Sequence, residues 1–168
     1  MSPGTTWQIN KPNNMRATII VLSIFIGLSA PAQRSSAKNE PCMKNYSIDS
    51  AAIADILNSA YFKGIYEGDV TLLGSTFYSN ALLFGDVKGQ PYYKTLAQYL
   101  DGVKNRQSPK DSGKPFKGDI VSIEIINSIA VAMVHVKMYD FNYFELLSFH
   151  KLEDKWVIVN KMISDVEQ

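Results

Sequence analysis

The chain has 168 residues, enough for one domain of ordinary size and a terminal appendage. It is 46% hydrophobic, 11% aromatic and 20% charged, a globular balance that excludes a disordered or collagenous chain. Lys plus Arg number 17 against 16 for Asp plus Glu, so no overall charge draws it to nucleic acid. A single cysteine, Cys42, excludes a disulfide framework within one chain, and two histidines, His135 and His150, leave little for a zinc site or a Ser-His-Asp enzyme.

Lys11 and Arg16 precede an uncharged apolar run over residues 17–30, which exits through Ala30-Pro31-Ala32 or Ser35-Ser36-Ala37. This order describes a secretory signal over residues 1–37, with 1–14 an upstream extension if translation starts at Met15. The run is shorter than the about 20 apolar residues of a transmembrane span. The expected product is therefore secreted or periplasmic, with no membrane span after processing. Asn39-Glu40-Pro41 ahead of Cys42 lacks the small residue of a lipoprotein signal. Residues 38–47 read as a flexible arm and 48–165 as the folded domain. Loss of Lys11, Arg16 and Arg34 with the signal leaves that domain slightly acidic.

Ser47 or Asp49 can cap a helix whose apolar residues fall at Ile53, Ile56, Leu57, Ala60, Tyr61, Gly64 and Ile65, one stripe at helical spacing. Gly68 ends it, Asp69 caps a short second helix, and Gly74 closes that one. Residues 77–84 read as a strand interrupted at Ser79-Asn80 and ending at Gly85-Asp86. After a break at Gly89-Gln90-Pro91, the stripe Leu96, Tyr99, Leu100, Val103 marks a third helix from Tyr93 to Arg106, and residues 107–118 are a loop. Four strands follow over 120–126, 129–139, 143–152 and 155–163, with turns at Asn127-Ser128, Asp140-Phe141-Asn142 and Glu153-Asp154. The order predicts an α+β domain: three N-terminal helices on one face of a curved, mostly antiparallel sheet, with a tapered hollow between them.

A two-residue turn at Glu153-Asp154 pairs Leu152 with Lys155, and regular pairing then sets Leu147 opposite Asn160 and Glu145 opposite Met162. One face carries Glu145, Leu147, Phe149, Ile158, Asn160 and Met162; the other carries Leu146, Ser148, His150, Val157, Val159 and Lys161. The second holds His150 and Lys161 and is the wetter, so the first is expected to line the hollow. On the preceding strand Ala132, Val134, Val136 and Met138 are expected inward and His135 outward.

Glu145 among apolar neighbours is the sharpest feature, because taking a carboxylate out of water costs several kcal/mol unless it is paired, protonated or reached by solvent. It is the candidate general acid/base, with the Tyr61 hydroxyl aimed into the same hollow to polarise a carbonyl. Equally, Glu145 could stand at the strand's exposed end and Tyr61 pack within the helix core. Phe84, Val134, Val136, Met138, Leu147, Phe149 and Met162 are the expected walls of a ligand site, with Asn160 a polar contact or a loop tie. The lysines of residues 107–118 either hold a phosphate or are simply solvated. The domain carries no Gly-rich phosphate loop, H-E-x-x-H, C-x-x-C or G-x-S-x-G, so neither a metal nor a cofactor is expected.

Tyr61-x-x-Gly64-x-x-x-Gly68-Asp69, then Phe77, Ala81, Leu83 and Phe84, then Leu147, Ser148, Lys151, Trp156, Ile158, Val159, Asn160 and Lys161 in the last hairpin, resemble the putative lumazine-binding branch of the nuclear transport factor 2-like superfamily. Glu145 and Leu146 stand where that pattern has Asp and Tyr. The resemblance implies a conical pocket, a homodimer packed through its sheets, and a superfamily of ketosteroid isomerases, polyketide cyclases, dehydratases and non-catalytic binders. Fold alone does not choose among these. The first expectation is an exported domain that binds a small apolar or aromatic molecule. The alternatives are a cofactor-free isomerase or dehydratase using Glu145 and Tyr61, and a domain that only mediates association.

Overall fold

The computed structural model describes residues 40–166; the expected export signal lies outside them. Helix α1 (Glu40–Asp55), a π-helical stretch (Ile56–Phe62) and α2 (Lys63–Glu67) follow one another as a single rod. The rod is already helical at Glu40, so residues 40–47, expected as an arm, belong to it. Asp49 therefore lies within a helix and caps nothing. Its Oδ1 instead accepts hydrogen bonds from Lys151 Nζ at 2.8 Å and Trp156 Nε1 at 3.0 Å, clamping the rod to the last hairpin. The Lys151 and Trp156 bonds hold the Asp49 carboxyl below its ordinary range.

The rod stops at Gly68, whose φ of 71° is left-handed backbone that glycine adopts without penalty. Asp69 then accepts from the backbone N–H of Thr71 and Leu72 and caps α3 (Val70–Gly74). Gly64 lets α3 fold back against the rod: a Cβ there would sit 2.8 Å from Leu73 Cβ. Strands β1 (Phe77–Val87) and β2 (Gln90–Thr95), helices α4 (Leu96–Lys104) and α5 (Pro109–Ser112), and strands β3 (Phe116–Ile126), β4 (Ile129–Met138), β5 (Phe141–Leu152) and β6 (Lys155–Asp165) complete the domain.

The six strands form one sheet in the order β2-β1-β6-β5-β4-β3, antiparallel except where β1 runs parallel to β6. The α+β expectation holds, but the helices are not all N-terminal, since α4 and α5 lie between β2 and β3. Tyr93 is in a strand, not a helix. A capping box between Thr95 and Gln98 starts α4 at Leu96, and Pro91 is tolerated because β2 is an edge strand. The expected loop at 107–118 contains α5 and the first residues of β3. No helix among the described residues is long and apolar enough to cross a membrane.

Ile53, Leu57, Tyr61 and Ile65 of the rod share one core with Ala132, Val134, Leu147, Phe149 and Ile158 of the sheet. Each buried Val, Leu, Ile or Phe among them contributes roughly 1.5–3 kcal/mol of hydrophobic stabilisation. Register shifts bend the sheet around this core: Val121 is an extra residue on β3, and Val159 is one on β6. The second shift changes which residues face the rod. Beyond Val159 the pairs are Ser148 with Asn160, Leu147 with Lys161, Leu146 with Met162 and Glu145 with Ile163.

Gly64→Ala should push Leu73 away from the rod and lower unfolding free energy by about 2 kcal/mol in urea denaturation, within the range for overpacking. Gly89→Ala, with nothing within 4 Å of the added Cβ, should cost about 1 kcal/mol through backbone strain alone.

Candidate functional site

Glu145 projects inward from the middle of β5 and is 2% exposed. Its Oε2 accepts a hydrogen bond from Tyr61 Oη at 2.6 Å, and its Oε1 accepts one from Lys161 Nζ at 2.6 Å. Lys161 Nζ also donates to Tyr61 Oη at 2.8 Å, so the three groups form a closed triangle. Beyond the triangle the ammonium lies 5.0 Å from the centroid of the Tyr99 ring, a cation–π contact. Tyr61 reaches this point from the π-helical stretch, a rare geometry that widens one turn and that recurs at functional sites.

The electrostatics follow from burial. Desolvation, then the Glu145 charge, pushes the Tyr61 phenol well above its ordinary value of 10.0. Burial alone would lower the Lys161 ammonium, but the charge and hydrogen bond of Glu145 together with the Tyr99 and Tyr92 hydroxyls outweigh it, and the net shift is upward from 10.5. At neutral pH the triangle therefore holds a neutral phenol and a charged lysine.

A cavity of about 160 Å³ opens between α4 and the inner face of the sheet. Glu145, Lys161 and Ile163 form part of its floor, and Val136, Met138 and Tyr143 its sheet wall. Ile65, Tyr99 and Val103 face them from the helices, and Val87 closes the β1 end. Exposed Gly102 together with Tyr92, Lys94 and Arg106 marks the rim. Burial raises the Tyr92 and Tyr143 phenols, so both remain protonated donors. The Nε and Nη2 atoms of Arg106 are buried with no hydrogen-bond partner among the described residues. A buried donor left unpaired costs about 1–3 kcal/mol, and more when it is charged.

The expected site residues divide into three groups. Glu145 and Tyr61 meet, and Val136 and Met138 line the cavity. Val134, Leu147 and Phe149 are buried in the core and do not line the cavity. Phe84, Asn160 and Met162 are not on the inner face. Phe84 and Met162 pair on the outer face, where they are 38% and 51% exposed, and Asn160 Nδ2 donates to the Leu82 carbonyl at 3.0 Å. Phe84 follows the alternation of β1, where Ala81 and Leu83 are the buried positions, while for Asn160 and Met162 the cause is the bulge: one extra residue reverses the alternation, so Lys161 and Ile163 occupy their expected inward places. Lys161 is thus corrected from the wet face to the buried one. The sequence signal for it is the isolated acid itself, which needs a cation across the hairpin. Arg106 gives a weaker signal, reading as a helix C-terminal cation.

The lysines of residues 107–118 are occupied at the surface: Lys110 pairs with Glu67, Lys114 with Asp140 and Lys117 with Asp119. His135 stacks on Phe144 on the outer face.

Glu145→Gln should leave Lys161 buried without a counter-ion and cost about 3–5 kcal/mol in chemical denaturation. Lys161→Met should do the same to Glu145, while the double variant loses clearly less than the two singles added together. Both Tyr61 and Lys161 bind protons more tightly folded than unfolded, so their stabilisation is complete below pH 10 and lost as pH rises further. Denaturation midpoints measured from pH 8 to 11 should fall above pH 10, less steeply in Tyr61→Phe.

Comparison with known proteins agrees with this architecture. A crystal structure of an NTF2-like protein of unknown function from Shewanella baltica matches with a TM-score of 0.65 at 26% identity, covering 73% of this chain and 98% of that one. One from Silicibacter pomeroyi, also of unknown function, matches with a TM-score of 0.65 at 19% identity over 72% and 98% of the two chains. Another from Methylobacillus flagellatus gives 0.64 at 24% identity over 71% and 94%. No curated protein matches the sequence. The profile of the family described as "Putative lumazine-binding" matches residues 49–164, which include most of the rod, nearly all of the sheet and every residue lining the cavity, and the chain belongs to that family within the NTF2-like superfamily.

Proposed function

We propose that this is an exported small-molecule-binding domain whose ligand, with an apolar or aromatic body, enters the cavity between α4 and the sheet. The carrying observation is the cavity's make-up: aliphatic and aromatic walls interrupted by a few convergent polar groups, the usual composition of a ligand site. Export rests on the apolar run at residues 17–30 and its small-residue exit. The family name offers a ligand class of the right kind, a flat heteroaromatic, without fixing its identity.

The contact between Tyr61 and Glu145 favours a second reading, a cofactor-free isomerase or dehydratase with Glu145 as acid/base. Binding is the better supported. Tyr61 is fully buried and does not line the cavity, and its hydroxyl is taken up by Glu145 and Lys161. Both carboxylate oxygens of Glu145 are already engaged by Tyr61 and Lys161.

The outer face supports the homodimer. Val131, Phe144, Leu146 and Met162 lie exposed on one side of the sheet, around an apolar depression of about 360 Å³ lined by Met133, Phe144, Leu146 and Met162. Such a patch on a sheet suits a self-complementary two-fold contact. Light scattering at micromolar concentration should give twice the chain mass, and Leu146→Asp should halve it; a monomeric wild type removes the dimer.

A thermal-shift screen of single-ring and fused-ring compounds tests the binding reading. A ligand at a hundredfold excess over its Kd should stabilise the wild type by about 2.7 kcal/mol, several degrees in Tm. Val136→Phe, which fills the cavity from β4, should melt cooperatively and lose that response. If no compound stabilises the wild type more than Val136→Phe, the binding reading falls.

A further inference from the structure

The cavity wall carries three basic side chains, Lys94, Arg106 and Lys161, against one acid, Glu145. Lys161 and Glu145 neutralise each other at 2.6 Å, which leaves two positive charges on the wall without a counter-ion among the described residues. One of them, Arg106, is the only described residue with buried side-chain donors that lack a partner. Lys94 sits over the Tyr92 ring at 5.1 Å and forms no ion pair among the described residues. A guanidinium offers donors in a planar fork that matches an oxyanion two bonds at a time, and Tyr92 and Tyr143 add neutral phenols beside it. The remaining wall is apolar, and a volume of about 150 Å³ accommodates one benzene ring.

We infer that the ligand is a small carboxylic acid carrying one ring, its carboxylate received by Arg106 and Lys94 at the rim and its ring by the apolar wall of β4. The inference rests on the small-molecule reading above and adds the charge and size of the ligand. Two roles separate along the cavity: the closed triangle is a balanced floor, while the guanidinium has no anionic partner among the described residues.

The test compares benzoate, its neutral isostere benzamide, and acetate by isothermal titration on the full domain and on Arg106→Gln and Lys94→Gln. Benzoate should bind the wild type at least tenfold more tightly than either benzamide or acetate. Arg106→Gln should abolish the preference for benzoate over benzamide, and Lys94→Gln should reduce it. Without ligand, Arg106→Gln should melt at or above the wild-type temperature, since it removes buried donors that have no partner; this separates lost recognition from lost folding. Equal binding of benzoate and benzamide, or a preference that survives in Arg106→Gln, overturns the acid and leaves the pocket standing. Binding of acetate as tight as benzoate overturns the ring. If no ring compound binds, charged or neutral, the pocket reading falls and takes this inference with it.

Discussion

The contact between Glu145 and Lys161 governs the geometry around it. A carboxylate 2% exposed in the middle of an apolar strand is tolerable only with a cation in hydrogen-bond contact. On β6 the nearest candidate stands at a position that regular pairing would turn to solvent. The extra residue Val159 reverses the alternation and brings Lys161 under Glu145. The same bulge carries Ile163 inward and releases Met162 to the outer face, so one residue decides both the polarity of the cavity floor and the greasiness of the opposite surface. Neither partner is replaceable singly, because each would leave the other charged and alone in a low-dielectric site.

The third member of the triangle comes from the rod, and the local structure there serves that reach. A straight α-helix has a fixed rise and phase between Ile53 and Ile65; the π-helical stretch at Ile56–Phe62 alters both and presents the Tyr61 ring to the sheet. Three residues past that stretch hold the rod in place. Gly64 admits α3, Gly68 takes a backbone conformation other residues avoid, and Asp69 satisfies the orphan amides of the next helix. At the other end Asp49 joins the rod to Lys151 and Trp156 of the final hairpin. The residues between Asp49 and Asp69 are thus pinned at both ends against the elements that carry Glu145 and Lys161.

Much of this is legible in the residues. The helical stripe from Ile53 to Ile65, the glycine and aspartate that end it, and the four-strand meander from residue 120 onward follow from spacing and turn chemistry. Glu145 stands out because an acid on an apolar face demands an explanation. The failures have specific physical causes. Regular alternation turns Asn160 and Met162 inward, and a bulge leaves no mark in a run such as Trp156-Val157-Ile158-Val159, where β-branched residues suit either face. β2 is hidden because Gln90-Pro91 reads as a break, and the edge position that permits a proline is a tertiary fact. Arg106 follows α4 at a place where a cation needs no further reason, so its burial beside the cavity is invisible in one dimension.

The charged groups around the cavity differ in what they lack, and that difference bears on function more than their identities do. A proton shuttle requires a group with a free lone pair or a proton that can leave toward the substrate. Glu145 has one oxygen bonded by Tyr61 and the other by Lys161, so taking up a substrate proton would disturb contacts that hold the triangle closed. Recognition requires the opposite: a donor that is fixed in place, largely desolvated and still without a partner. Arg106 comes nearest to that description just beyond the end of α4, with two of its nitrogens buried and without a partner among the described residues. A site whose acid is satisfied and whose base is not is arranged to hold an anion still, and the closed triangle beneath it keeps the floor rigid while it does so.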